Sequence, residues 1–188
     1  MNALIWLLAR IFRTGWRLAE SLHAKQEHHA LFLPKKVFGA EVVARAIFSP
    51  VHVSSKGGKL KPAAFQPARE TDEISTMRAT FLGCNRCKRK ARDIETPSAG
   101  RIYQGFAVVY ARGVRSTGCE VFDSRAEFLG HADIRTGIAC PPRGVPMEPE
   151  MREKSNEISS RLVALSRYIK DPLPEGSGWA GPALMPQQ

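Results

Sequence analysis

Apolar residues are concentrated in short segments of this chain, and the longest one in the body of the sequence spans residues 106–110. It contains two valines and two aromatic residues, which are typical of β-strands. Gly105 precedes it, and Gly113 and Gly118 follow it. A short apolar segment between turn-forming residues is typical of a strand buried on both faces. The pattern therefore predicts a central strand around which the other elements are arranged.

Three further segments have the character of strands. Residues 43–48 are mostly β-branched or aromatic, and Pro50 closes the segment. Residues 74–82 alternate between two faces, and residues 119–122 form a shorter candidate. Residues 124–129 are expected to form a helical turn or loop that leads into a turn at residues 131–134.

Helical periodicity is present in three places. Residues 2–30 place apolar side chains on one arc and arginines on the other, which predicts an amphipathic helix. Residues 84–94 predict a short helix with a thin apolar stripe, and residues 150–170 predict a longer helix that ends before Pro172.

These elements predict an α+β fold, in which a small, mostly antiparallel sheet is flanked by an N-terminal amphipathic helix and a C-terminal helix. We divide the chain into an N-terminal helix, a core domain, a proline-rich connector, a C-terminal helix and a tail. Their bounds are residues 1–33, 37–138, 139–149, 150–170 and 171–188, respectively.

The net charge of +10 points to an anionic partner. Residues 1–115 contain 20 Lys and Arg against 8 Asp and Glu, so the basic excess lies in the first part of the chain. Such a field attracts nucleic acid, acidic lipid or an acidic protein, although it also serves solubility alone. No secretory signal and no long apolar segment are evident, so we expect a cytoplasmic protein with reduced thiols.

The densest group of cations lies on the predicted short helix, and a second group lies in the loop before it. Both are candidates for contacts with nucleic-acid phosphates, and the alternative is a solvated surface. The residues concerned are Arg86, Lys88, Arg89, Lys90 and Arg92 on the helix, and Lys56, Lys59 and Lys61 in the loop.

The four cysteines allow three interpretations. Cys84 and Cys87 form a C-x-x-C motif, which is typical of redox pairs when it opens a helix. With Cys119 and Cys140 they could instead supply four zinc ligands, although zinc sites normally take their ligands as two close pairs. The third interpretation is that Cys87 packs in the core and the others have no role. No cofactor motif is present, so we expect no cofactor and no metal.

A set of polar residues is scattered among the predicted strands, and it includes Arg45, His52 and Asp133. Three short motifs accompany it: Phe65-x-Pro67, Ser75-Thr-Met-Arg78 and His131-Ala-Asp-Ile134. In these motifs residues 41–138 resemble a group of small bacterial proteins with an FxP, SxxR and HAxI pattern, for which no activity is established. Thr76 stands where that group usually has valine. The resemblance implies that Arg45, Ser75, Arg78 and His131 meet in space, and we take these four as candidate catalytic residues.

Three functions are compatible with these observations. The first is a nucleic-acid-associated binding or accessory protein that uses the cationic helix and loop. The second is an enzyme acting on a nucleotide or nucleic-acid phosphate through Arg45, Arg78 and His131. With Glu120, its layout is similar to that of ADP-ribosyltransferases. The third is an interaction subunit that docks to a membrane surface, a partner protein or a second copy through the N-terminal helix.

Overall fold

The computed structural model describes residues 33–54, 58–97 and 100–186. The predicted N-terminal helix and Lys56 lie outside the described residues. None of the helices in the described part of the chain has the length and apolar character needed to span a bilayer.

The described residues form six strands, three α-helices and one short 3₁₀ helix. The strands are β1 Val42–Ser49, β2 Glu73–Arg78, β3 Ile102–Tyr110, β4 Glu120–Asp123, β5 His131–Arg135 and β6 Arg167–Lys170. The helices are α1 Ala79–Asp93, α2 Ala111–Arg115 and α3 Pro149–Leu165, with the 3₁₀ helix at Pro62–Phe65.

All six strands form one antiparallel sheet in the order β4-β5-β2-β1-β3-β6. The predicted α+β class, the antiparallel sheet and the C-terminal helix are therefore confirmed. The apolar segment at residues 106–110 lies in β3, which has β1 on one side and β6 on the other. It is an interior strand, as predicted, although β1 and β2 occupy the centre of the sheet.

Two predicted strand and turn assignments are wrong. The strand predicted at residues 74–82 ends at Arg78, and α1 begins at Ala79. The chain changes direction there because the Thr80 hydroxyl accepts a hydrogen bond from the Val42 amide at 2.8 Å, beside the start of β1. The turn predicted at residues 131–134 is strand β5, whose backbone pairs with β2 and β4.

The C-terminal helix ends earlier than predicted. It stops at Leu165, and Arg167–Lys170 form β6 along the outer edge of β3. A helix continuing to Lys170 would leave the backbone groups of β3 on that side without hydrogen-bond partners, which is costly next to a core. Ile169 also packs in the core from this position.

The two faces of the sheet carry two separate apolar cores. The first core lies under α2, α3 and the 3₁₀ helix, and the second lies under α1 and the end of the chain. Members of the first include Val43, Ile47, Ile74, Val109, Ile134 and Leu162, and members of the second include Ala44, Phe48, Met77, Phe106, Val108 and Ile169.

Residues 171–186, which we call the C-terminal strap, close the second core. The Trp179 ring lies 5.5 Å from the Phe106 ring between centroids, and Leu184 is buried. The tail therefore lies over the second core through its tryptophan. The strap is held by Lys88 of α1, whose Nζ lies 2.8 Å from a carboxylate oxygen of Asp171 and donates to the Leu173 and Gly178 carbonyls. Both members of this ion pair are fully buried.

We predict that Lys88→Ala lowers the free energy of unfolding by about 3–5 kcal/mol, because it leaves the Asp171 carboxylate buried without its cation. Urea denaturation at neutral pH measures this. The neighbouring and exposed Arg89→Ala is the matched control and should change stability by no more than about 0.5 kcal/mol.

A Lys88→Met, Asp171→Leu double variant should recover much of the loss, since it removes both buried charges together. If Lys88→Ala is as stable as the wild type, the ion pair does not hold the strap.

Candidate functional site

The two central strands of the sheet pair over only a short segment. β1 and β2 pair only at Val43 with Arg78 and at Ala44 with Met77. Past this point β1 continues along β3 as far as Ser49, and β2 is paired with β5 back to Glu73. The two halves of the sheet therefore separate beyond Ala44, and we call this opening the sheet cleft.

Arg45 is the first residue of β1 beyond the last pair, and its guanidinium bridges the sheet cleft. Its Nη1 donates to the Ser75 carbonyl of β2 at 2.7 Å, and its Nε donates to the Ala64 carbonyl of the 3₁₀ helix at 3.2 Å. Burial, followed by the charge of Arg101, lowers the pKa of Arg45 to about 10, and Asp133 opposes this. Arg45 therefore remains a cation at neutral pH.

Arg101 and His52 lie around the Phe48 ring at the same end of β1. The Arg101 guanidinium carbon is 4.6 Å from the Phe48 ring centroid, and the His52 ring is 5.7 Å from it. His52 Nδ1 accepts a hydrogen bond from the Phe48 amide at 3.2 Å. Burial and then the charges of Arg45 and Arg101 lower the pKa of His52 to about 3, so this imidazole is neutral.

The charges of Arg45 and Arg101 therefore act on each other, and no carboxylate of the described residues contacts either guanidinium. Among the ion pairs formed by the described residues, none involves Arg45 or Arg101. The carboxylate of Asp133 acts on Arg45 only through its field. This arrangement leaves positive charge at the sheet cleft that an anion would neutralise.

Ser75, Asp133 and His131 share one face of the sheet beside the cleft. Ser75 is paired with Asp133 and Met77 with His131, so these side chains project to the same side. Ser75 is exposed, whereas Asp133 and His131 are buried. His131 Nδ1 lies 2.7 Å from the Ser124 hydroxyl and 3.6 Å from an Asp133 carboxylate oxygen.

Ser124, His131 and Asp133 do not form a nucleophilic triad. In such a triad the carboxylate and the hydroxyl contact opposite nitrogens of the imidazole. Here both Ser124 and Asp133 approach Nδ1 of His131. The group therefore orients the His131 ring and leaves Nε2 as the nitrogen that could exchange a proton.

Arg78 lies away from Ser75 and His131. Its fully buried side chain projects to the opposite face of the sheet, where Nε is 2.8 Å from Glu41 and Nη1 is 2.6 Å from Asp123. It also donates to the backbone carbonyls of Pro34 and Lys36. Asp133 lies 3.6 Å from His131 and acts on Arg45 through its charge, whereas Arg78 forms structural ion pairs with Glu41 and Asp123.

The cationic residues of α1 have different environments. Lys88 is buried under the strap, so it does not belong to an exposed row of cations. Arg92 contacts Glu95 and Glu175, and Lys90 contacts Asp93 at 3.5 Å. Arg89 is exposed, and Arg86 is half-buried. In the loop before α1, Lys59 is exposed and Lys61 donates to the Pro50 carbonyl.

The other candidates lie apart from the cleft. Cys87 belongs to the second core and Cys119 to the first, on opposite faces of the sheet, so the four-cysteine zinc site is wrong. Within the described residues, no group of three His, Cys, Asp or Glu side chains could hold a metal ion. Glu120 is on the edge strand β4, where it lies 3.9 Å from Arg135.

Arg101 is the cleft residue that the sequence pattern did not single out. It is a lone arginine between a glycine and the first residue of β3, with no distinctive spacing to Arg45. Its proximity to Arg45 arises from the pairing of β1 with β3, where Ser49 is opposite Ile102.

No protein-family model, no curated protein and no solved structure matches this chain. Its function is therefore inferred from the contacts and charges of its own residues.

We predict that His52 makes the protein less stable as the pH falls below about 6.5. The unfolded imidazole takes up a proton near that pH, whereas the folded one resists protonation until about pH 3. The unfolded state thus binds more protons in this window, and the free energy of unfolding falls by up to about 1.4 kcal/mol per pH unit.

Urea denaturation of the wild type and of His52→Asn at pH 7 and pH 5 measures this effect. The asparagine carbonyl can still accept the Phe48 amide, but it does not titrate. The wild type should lose about 2 kcal/mol more than the variant between these pH values. An equal loss in both proteins would show that His52 does not titrate as described.

Proposed function

We propose that this chain is a nucleic-acid-associated binding protein that holds a phosphate group at the sheet cleft between Arg45 and Arg101. The observation that carries the proposal is that the charge of Arg101 acts on Arg45, while neither guanidinium contacts a carboxylate of the described residues. A phosphate between them would accept charge-assisted hydrogen bonds from both, and it would remove their mutual repulsion.

The shape of the site favours a phosphate that is part of a larger ligand. Arg45 uses Nη1 and Nε to bond the Ser75 and Ala64 carbonyls, so Nη2 is the nitrogen that we expect to meet a ligand. The Arg101 guanidinium carbon lies 4.6 Å from the Phe48 ring centroid, which restricts the position of the guanidinium before binding. Ser75, whose carbonyl Arg45 binds, is exposed.

A nucleic acid is favoured over a single nucleotide because the charge extends beyond the cleft. The net charge is +10, and the exposed cations Arg89 and Lys59 lie outside the Arg45 and Arg101 pair. Dispersed cations increase affinity for a polyanion through counterion release and give little sequence preference. Because Lys88 is buried, only the other cations of α1 can contribute to the affinity for a polyanion.

We predict that the purified chain binds labelled single-stranded RNA or DNA with micromolar affinity at low salt, and that Arg101→Ala weakens this binding by roughly tenfold. Fluorescence anisotropy at about 50 and 200 mM salt measures the affinity and its salt dependence. Arg101 is the residue to change, because Arg45 also supports the sheet through its two carbonyl contacts.

Arg112→Ala is the matched control. Arg112 is exposed and also lies over an aromatic ring, that of Tyr110 at 4.8 Å, but it is on α2. It should reduce affinity by less than about twofold if the cleft is the binding site. Equal losses in the two variants would assign the binding to net charge alone, and no binding at low salt would refute the proposal.

A second candidate function is catalysis on the bound phosphate, with His131 as the group that moves a proton. It is supported by the Asp133 carboxylate, which lies 3.6 Å from His131 and whose charge acts on Arg45. The His131 ring packs against Phe128, with 4.9 Å between the ring centroids. Docking through the N-terminal helix depends on residues outside the described ranges and stays a prediction.

For this second function we predict that His131→Asn abolishes turnover, by at least about a hundredfold, and leaves affinity for the nucleic acid within about twofold of the wild type. Incubation of labelled RNA and DNA with each protein, followed by electrophoresis, detects cleavage or modification. Products formed equally by the variant would exclude His131 as the group that moves the proton, and products from neither protein would leave the chain as a binding protein.

A further inference from the structure

We propose that Cys84 and Cys87 form a reversible dithiol–disulfide pair that controls the docking of the C-terminal strap. This inference is independent of phosphate binding at the cleft. It starts from an interruption in α1, where Gly83 has φ +71° and ψ 167°, far from helical values. The regular part of the helix therefore begins at Cys84 and continues to Asp93, and both cysteines lie on its first turn.

The spacing and the burial of the two cysteines suit sequential reaction. Residues three apart on a helix lie on the same side, and both thiols face the second core. Cys84 is half-buried, whereas Cys87 is fully buried. An oxidant from solvent therefore reacts with Cys84 first. The buried Cys87 reacts only by attacking the oxidised sulfur of Cys84.

The environment of Cys87 supports its role as the second thiol. Burial, and then the neighbouring Cys84, raises the pKa of Cys87. A buried thiol with a raised pKa is unreactive toward external disulfides. It reacts only when a sulfur at Cys84 has already been oxidised and lies next to it.

The chemistry requires only a small disulfide such as oxidised glutathione. The Cys84 thiolate attacks one sulfur of that disulfide, so a mixed disulfide forms and one glutathione thiolate leaves. Cys87 then transfers its proton to a glutathione thiolate, and its sulfur attacks the sulfur of Cys84. The second glutathione leaves, so the protein dithiol is oxidised by two electrons and the small disulfide is reduced to two thiols.

The same turn of α1 fastens the strap. Asn85, between the two cysteines, accepts a hydrogen bond from the Trp179 amide at 2.7 Å. Lys88, next to Cys87, donates to the Gly178 carbonyl at 2.8 Å and pairs with Asp171. Closing a disulfide between Cys84 and Cys87 draws these two positions of the turn together, and it therefore shifts the groups that hold Trp179.

The test uses the full chain in glutathione buffers rich in either the oxidised or the reduced form. After acid quenching and alkylation, intact mass and peptide mapping locate any disulfide. We expect a Cys84–Cys87 disulfide in the oxidising buffer, with a mass about 2 Da below that of the dithiol, and its complete loss in the reducing buffer. A Cys119→Ser, Cys140→Ser variant should give the same result, because those cysteines lie elsewhere.

Strap docking is followed by tryptophan fluorescence in a Trp6→Phe, Trp16→Phe background, where Trp179 is the one remaining tryptophan. Oxidation should shift the Trp179 emission, and Cys87→Ala should abolish this shift. Should Cys87→Ala fail to fold, Cys84→Ser provides the same comparison at the more exposed position.

Two outcomes would overturn the proposal. A protein that carries glutathione on Cys84 in the oxidising buffer, with Cys87 still reduced, would show that the buried thiol cannot complete the exchange. A Cys84–Cys87 disulfide that leaves Trp179 emission unchanged would show that the pair does not control the strap.

Discussion

The buried guanidinium of Arg78 joins parts of the chain that backbone pairing leaves loosely connected. β1 and β2 share only two residue pairs, so hydrogen bonds of the ladder contribute little to holding the halves of the sheet together. Arg78 bonds Glu41 at the entry to β1, Asp123 on the edge strand β4, and the carbonyls of Pro34 and Lys36. Such a group is costly to bury unless all its donors have partners, and here each nitrogen has one. With this end of the β1–β2 contact fixed, the opposite end can remain open.

Arg45 and Arg78 differ in the charge that surrounds them. Arg78 has two carboxylates and is neutralised in place. Arg45 has two carbonyls, and the nearest strong field is that of a second cation, Arg101. A carbonyl satisfies a donor without cancelling its charge, so the sheet cleft keeps a net positive potential that the Arg78 site lacks. Because of this difference, Arg45 rather than Arg78 is the candidate for binding an anion.

The parts of the fold that follow from local pattern were predictable. β1 and β3 consist of β-branched and aromatic residues between turn formers, so the sequence alone identifies them. β5 and β6 are short, and each is stabilised by pairing with its neighbours in the sheet. β5 lies between β2 and β4, and β6 pairs with β3. The motifs predicted that Ser75 and His131 lie near each other, but the position of Arg101 depends on the register of β1 with β3. Non-local pairing of this kind has no signature in a single sequence.

The cationic segment of α1 shows why charge density in a sequence is a weak guide to a binding surface. Lys88 and Arg89 are adjacent, yet a helix places neighbours 100° apart, so one enters the second core while the other faces solvent. Lys88 is tolerated there because Asp171 and two strap carbonyls surround its ammonium group. The charge of Lys88 therefore stabilises the fold. Cys84, Asn85 and Cys87 lie on the helical turn just before Lys88. A disulfide in that turn acts on the same contacts, so the second core, the strap and the thiol pair form one coupled unit.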